Sequence, residues 1–263
     1  MTKDKLWSAT LALTMAAWLS APGFRFVSSL ILLSHLPFLI WGISSIRSGF
    51  FCPVLYKKKP GGRDVALTFD DGPDPRTTPE VLDILKRYDM KATFFVVGNR
   101  ARRYPDLLRR IFVEGHTVGC HDLTHRYTEN FRFVKKMTAQ IGEAREIVRS
   151  ITGRTPLLYR PPVGLTNPHL PAALRKLKMT CIGWSRSAHD AGNGRRNPIN
   201  KIGTLAGEGQ IVLLHDCLPE HNLRTDILKK AFLENLELLL KDIAEKKLYA
   251  RTIDDFFNIR AYD

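Results

Sequence analysis

Val65-Ala66-Leu67-Thr68-Phe69-Asp70-Asp71-Gly72-Pro73-Asp74-Pro75 joins an apolar run rich in β-formers to two adjacent carboxylates and a Gly-Pro turn. The run reads as a short buried strand that the turn stops. Neighbouring side chains on a strand point to opposite faces. Where the backbone bends at a strand's end, however, both carboxylates can enter one site with separate tasks, one holding a metal and one moving a proton. Asp, Gly and Pro are also ordinary turn residues, so the decision rests with the chain downstream.

Downstream, short apolar runs alternate with longer helical patterns. Strands are expected at 65–69, 92–97, 117–120, 157–159, 180–184, 210–214 and 248–253, and helices at 78–88, 104–114, 131–152, 168–177 and 223–246. In the last helix Leu228, Phe232, Leu236, Leu239, Leu240 and Ile243 share one apolar face. Seven strand–helix units in one domain, residues 64–263, imply a parallel sheet with crossover helices. Their near-regular spacing favours a closed or nearly closed β/α barrel over an open sheet. No Gly-rich phosphate loop follows the first strand, which argues against a nucleotide-binding fold.

Polar residues collect where these strands end, the face on which β/α barrels carry their active sites. Asp70 and Asp71 end the first strand, His121-Asp122-Leu123-Thr124-His125 the third, Arg160-Pro161-Pro162 the fourth, Trp184 the fifth and His215-Asp216 the sixth. A His pair at i and i+4 can meet one metal from adjacent turns, and a carboxylate from another strand gives a His-His-Asp set with open positions, the catalytic pattern. Arg160, stiffened by two prolines, is either a fixed cation that orients an acid or a structural ion pair. His215 is placed to donate a proton, or is a hydrogen-bonded core residue. Asp190 either orients His215 or is a turn residue in Asp190-Ala191-Gly192-Asn193-Gly194. Trp184 is an apolar plate for a sugar or acetyl group, or part of the core. His35, His116, His169 and His221 read as structural, and nothing positions the loop residue His189.

The amino-terminal part differs in character. Residues 6–21 and 26–46 lack Lys, Arg, Asp and Glu except at the intervening Pro22-Gly23-Phe24-Arg25 turn. The second run is long enough to span a bilayer and the first is borderline. Residues 1–63 therefore read as a transmembrane helical hairpin followed by a basic linker. The net charge is +14, and residues 1–63 carry +7 of it, as eight Lys and Arg against Asp4. Basic charge around apolar segments suits an anionic membrane surface, and no nucleic-acid module or protein partner is indicated. Lys3 and Lys5 before the hairpin and Arg47 and residues 57–59 after it, against Arg25 alone in the turn, place both ends, and so the catalytic domain, on the cytoplasmic face of a multi-pass inner-membrane protein. The rival is a cleaved signal peptide followed by an anchor, for which Pro22 sits badly. Cys52, Cys120, Cys181 and Cys217 show no CxxC spacing and read as buried thiols.

Thr68-Phe69-Asp70-Asp71-Gly72-Pro73, His121-Asp122-Leu123-Thr124-His125, Arg160-Pro161-Pro162 and Leu213-Leu214-His215-Asp216 together resemble the ordered motifs of the polysaccharide deacetylase family, carbohydrate esterase family four. The resemblance runs from about Val65 to Ile253. It implies a deformed (β/α)7 barrel and hydrolysis of N-acetyl groups from the amino sugars of a polysaccharide or a lipid-linked saccharide. By that likeness Asp70 is the general base, and Asp71, His121 and His125 hold one divalent metal, usually zinc. Arg160 holds Asp70, His215 is the general acid, and Asp190 tunes it. Trp184 and Leu213 match the acetyl-pocket wall, with Pro161 expected beside the substrate. The chain departs from the family where Ala191 replaces the usual Trp after Asp190 and Ser187 stands where an acid is common. A sugar deformylase, an O-acetyl esterase and a catalytically silent sugar-binding module of the same fold are the alternatives.

Overall fold

The computed structural model describes residues 3–20, 22–126, 128–129, 132–190, 205–217 and 225–263. Two helices come first, α1 (Lys3–Ser20) and α2 (Arg25–Ser44), joined by a short 3-10 turn at Pro22–Phe24. They pack antiparallel, since Trp18 Nε1 donates to Ser29 Oγ near the turn and Thr10 Oγ1 meets His35 Nε2 further along. Both expose large apolar side chains, among them Leu13, Leu19, Phe26, Leu33 and Phe38. Of the two expected spans, only α2 is long and apolar enough to cross a membrane among the described residues.

Alternation in β1 (Asp64–Asp70) organises the rest. Val65, Leu67 and Phe69 face the crossover helices, packing against Val81, Leu85 and Leu240, whereas Ala66 belongs to an inner cluster with Phe95, Leu158, Ile182, Ile211 and Phe256. Thr68 and Asp70 share the inner face with Ala66, so the strand's period of two aims Asp70 inward. The remaining elements are α3 (Thr78–Arg87), β2 (Thr93–Val96), α4 (Gly98–Arg103), α5 (Pro105–Val113), β3 (Thr117–Cys120), α6 (Val134–Thr152), β4 (Leu158–Tyr159), α7 (Leu170–Leu177), β5 (Thr180–Cys181), β6 (Arg186–Ser187), β7 (Ile211–His215), α8 (Thr225–Glu245), β8 (Tyr249–Arg251) and α9 (Ile253–Phe257). Pro at the first or second position starts α3, α5 and α7, where its missing N–H costs nothing.

Among the described residues the strands pair in parallel, in the order β5-β4-β3-β2-β1-β7-β6, with β8 beside the first half of β1. The expected barrel is therefore left open by direct pairing: β5 and β6 are the ends of the path. The segment after α2 occupies the gap. Leu55 bridges to Ile182 and Lys57 to Gln210, and the Leu55 amide donates to Cys181 O. Ile46, Phe50, Phe51 and Cys52 are buried there.

Three local expectations change. The strand expected at 180–184 ends at Cys181, because the Ile182 and Gly183 carbonyls accept hydrogen bonds from Arg160 rather than from a neighbouring strand. That expected at 248–253 is shorter, since Ile253 opens α9. β6 and α4 were not expected at all, one being two residues long and the other a basic hexapeptide without an apolar period. The four cysteines are free and buried, as expected.

Candidate active site

Asp70 is the last residue of β1 and is buried. Its Oδ1 accepts from Arg160 Nη1 at 2.7 Å, which leaves Oδ2 turned toward His121 Nε2, 3.7 Å away. Asp71 would follow the strand's alternation outward, but it takes a left-handed φ of 75°. An aspartate tolerates that region better than most residues, and the bend brings both carboxylates to one face. Gly72 is required behind them: a Cβ there would lie 2.3 Å from Asp216 Oδ2.

Asp71 Oδ1 lies 3.1 Å from His125 Nε2 and 3.4 Å from His121 Nε2. The imidazole of His121 is oriented by its other nitrogen, whose Nδ1–H donates to Arg160 O at 2.8 Å. Such an outer bond fixes the tautomer that leaves Nε2 as a ligand. The loop carrying both histidines is pinned to α4, where Gly98 N donates to Asp122 O and Asn99 N to Leu123 O. His125 also takes a positive φ, of 56°, so the pair meets across a bent loop rather than on a helix. One atom each of Asp71, His121 and His125 falls within 4.8 Å of the others. Asp71 Oδ1 is buried without a hydrogen-bond partner, and a carboxylate oxygen facing two imidazole nitrogens is a donor set suited to a divalent metal. Burial pushes the Asp71 carboxyl up, but His121 and His125 outweigh it and hold it well below the usual carboxylate range.

Arg160 is fully buried. Nη1 donates to Thr68 Oγ1 at 2.8 Å as well as to Asp70, Nη2 donates to Gly183 O at 2.8 Å, and the guanidinium sits 4.2 Å from the centre of the Phe95 ring. Thr68 in turn donates to Val212 O. The residue was open to two readings from sequence, and it is a buried, fully engaged partner of Asp70. The guanidinium also lies 5.6 Å from the centre of the Trp184 ring, which presses against Gly164, where a Cβ would meet it at 2.5 Å. Pro161, next to Arg160 in the chain, is buried, and Leu213 lies in β7, also buried. Val163, between them in sequence, is half exposed and left-handed at φ 49°, a strained conformation for a β-branched residue.

His215 ends β7, paired in register with Asp70. Its Nδ1 lies 2.7 Å from Asp190 Oδ1, and its backbone N–H donates to Asp190 Oδ2 at 2.9 Å. Burial lowers the imidazole's affinity for a proton, but the Asp190 carboxylate more than reverses this and raises the pKa to about 9. Asp190 is therefore tied to His215 and is more than a turn residue, while Ala191 and the rest of that turn lie outside the described residues.

His116 is structural, as expected: buried, accepting from Ala92 N, and pushed down to about 4 chiefly by burial. His35 is bonded within the helical pair and His169 packs on Phe133. His189 is exposed, and His221 lies outside the described residues. Sequence reasoning passed over a supporting network. Thr78 Oγ1 donates to Asp216 Oδ2 at 2.5 Å, Thr77 Oγ1 donates to Asp216 O, and Asp74 is buried with Arg76 at 2.6 Å. The signal lay in Asp74 and Asp216 themselves, acids placed inside two of the motifs.

The family model described as polysaccharide deacetylase matches residues 57–182. The peptidoglycan-N-acetylmuramic acid deacetylase PdaC of Bacillus subtilis is 37% identical over 158 residues, which cover 60% of this chain and 33% of that protein. A peptidoglycan-N-acetylglucosamine deacetylase of Bacillus cereus is 37% identical over 155 residues, covering 58% of this chain and 72% of the relative. The chitooligosaccharide deacetylase of a Bradyrhizobium strain is 34% identical, covering 60% and 73%. The chain thus spans about a third of the length of the first of these relatives. The solved structure of PdaC superposes with a TM-score of 0.65 at 31% identity, covering 76% of this chain and 93% of that one. Sequence identity and superposition agree, and the chain belongs to the polysaccharide deacetylase family.

Proposed function

We propose that this chain is a metal-dependent hydrolase that removes N-acetyl groups from amino sugars of an N-acetylated glycan, with zinc as its metal. The observation that carries the proposal is the buried, unpartnered Oδ1 of Asp71 facing the Nε2 atoms of His121 and His125. Asp71, His121 and His125 would hold the metal, which supplies Lewis-acid polarisation of the acyl carbonyl and of the attacking water.

The other residues have separate tasks. Arg160 occupies Oδ1 of Asp70 and fixes its orientation, so that Oδ2 is the oxygen left to act as the base. Asp70 takes a proton from water as its oxygen adds to the acyl carbon. His215 has Nδ1 committed to Asp190 and so presents Nε2, and its raised pKa keeps it protonated at neutral pH. It delivers that proton to the amine as the carbon–nitrogen bond breaks, releasing acetate. Trp184, Leu213 and Pro161 form the wall for the acetyl methyl group. The names of the relatives support amino-sugar glycans as the substrate class. The α1–α2 pair is read as a membrane hairpin on the apolarity of α2, and the excess of Lys3, Lys5, Arg47 and residues 57–59 over Arg25 favours a domain on the cytoplasmic face.

The test is acetate release from N-acetylated chitooligosaccharides by the full chain, before and after chelation and with zinc restored. Zinc-dependent release that falls at least 100-fold in Asp70→Asn is expected. Release that survives chelation, or near wild-type turnover by Asp70→Asn, refutes the mechanism. A panel of N-formyl and O-acetyl sugars decides against the neighbouring chemistries.

A further inference from the structure

A cavity of about 430 Å³ opens between α1 and α2, lined by Leu6, Trp7, Phe38, Trp41 and Phe50, with Thr10, Ser34 and His35 as its polar members. Its walls are apolar and aromatic: Phe50 meets Trp7 edge-on at 5.8 Å and Trp41 at 6.4 Å. Three observations separate it from an ordinary gap between helices. First, the Trp7 indole N–H is buried without a hydrogen-bond partner, so a single donor awaits an acceptor within an apolar lining. Second, the surrounding helices expose apolar side chains, and α2 is apolar enough to lie in a bilayer. The cavity would therefore be filled from hydrocarbon rather than from water. Third, the cavity adjoins the active-site rim through a continuous line of packing.

That line can be followed residue by residue. Phe50 lies so close to Gly42 that a Cβ there would be 2.6 Å from its ring. Gly42 O accepts from Thr166 Oγ1 and Ile43 O from Thr166 N. Thr166 lies just beyond Gly164, which packs on Trp184, the plate over Arg160. On the other side Ile46 and Val54 pack over Gly183, whose carbonyl accepts from Arg160 Nη2.

The geometry points to a lipid-chain site: the cavity between α1 and α2 takes the hydrocarbon chain of a lipid-borne N-acetylated amino sugar, whose sugar then lies at the rim formed by Trp184 and Pro161. This inference rests on the deacetylase reading and narrows its substrate to one carried on a membrane lipid. An apolar chain matches the walls, and an oxygen near its head matches the Trp7 donor.

The experiment uses the full chain in mixed micelles and two probes with the same sugar, methyl and dodecyl N-acetylglucosaminide. Acetate release is compared for wild type, for Ser34→Trp, which fills the cavity, and for Trp7→Phe, which removes the N–H and keeps a ring. The expected result is a KM at least tenfold lower for the dodecyl than for the methyl glycoside. Ser34→Trp should remove most of that advantage and Trp7→Phe part of it, with methyl glycoside turnover unchanged in both. Because micelle partitioning is common to all three proteins, the ratio between variants isolates the cavity. Unchanged chain-length preference in Ser34→Trp and Trp7→Phe overturns the lipid-chain site and leaves the deacetylase reading standing. Failure to release acetate from either probe or from oligosaccharides, by zinc-loaded wild type, overturns the deacetylase reading first. Should Ser34→Trp lose methyl glycoside turnover as well, Trp7→Phe alone decides.

Discussion

Replacing Arg160 with methionine tests the assignment of this residue most directly. The guanidinium is completely buried and donates to Asp70 Oδ1, Thr68 Oγ1 and Gly183 O. Methionine fills a similar volume but satisfies none of them. Removing one partner of a buried ion pair costs about 3–5 kcal/mol, chiefly because the other charge stays buried and uncompensated. For a domain of this size about 1 kcal/mol corresponds to about 2–4 °C, so the melting temperature should fall by roughly 6–20 °C. Neutralising the stranded carboxylate should recover part of the loss: Asp70→Asn combined with Arg160→Met should be more stable than Arg160→Met alone by at least about 1 kcal/mol. Thermal unfolding of the full chain in detergent, followed by intrinsic fluorescence, measures all four corners of the cycle. A single variant within about 1 kcal/mol of wild type, or a double variant no more stable than the single, would show that the pair is not the buried, coupled unit described above.

Other expectations follow from the same geometry. Asp190→Asn removes the charge that raises the His215 pKa to about 9, so the alkaline limb of turnover should move to lower pH; an unmoved limb separates Asp190 from His215. Because the folded pKa lies above the ordinary 6.5, the pair's contribution to stability is full below pH 6.5 and is lost as pH rises through about 9, which pH-dependent melting would follow. Gly72→Ala places a Cβ against Asp216 Oδ2 and should cost about 1–3 kcal/mol by overpacking, with activity falling further as Asp71 is displaced; wild-type melting would refute this. A chain starting at Arg63 loses Ile46, Phe50, Phe51 and the Leu55 bridge, each large apolar side chain worth about 1.5–3 kcal/mol. It should melt well below, or precipitate beside, one starting at Ser45, and equal melting would show that the gap filler is dispensable.

What could be seen in the sequence was whatever depends on local pattern. Asp70, His121, Arg160 and His215 each follow an apolar run, and an apolar run of that length is a buried strand whose end is the barrel's mouth. The structure brings them together because parallel pairing aligns those ends, as in the register of Asp70 with His215. What was hidden depends on partners far along the chain. The strand after α7 stops early because Arg160 claims its carbonyls, and no property of residues 182–184 announces that. β6 is a two-residue strand recognisable only by its pairing with β7. Adjacent carboxylates entering one site required Asp71 to leave the strand's alternation, which its positive φ accomplishes. The stretch between α2 and β1 reads as a basic linker because Lys57, Lys58, Lys59 and Arg63 dominate its end; the burial of Phe50, Phe51 and Cys52 before them comes from a gap that exists only once the sheet has formed.

That gap has a consequence for the order in which the protein is made. Leu55 and Lys57 pair with Ile182 and Gln210, so the plug leaves the ribosome long before the two edges it separates. Phe50, Phe51 and Leu55 must wait, exposed, beside the helices that precede them. Helices lodged in a bilayer would hold this apolar stretch near the lipid surface during that interval, away from other nascent chains. Were the pair so lodged, it would serve the domain as a cradle for assembly before serving as an anchor.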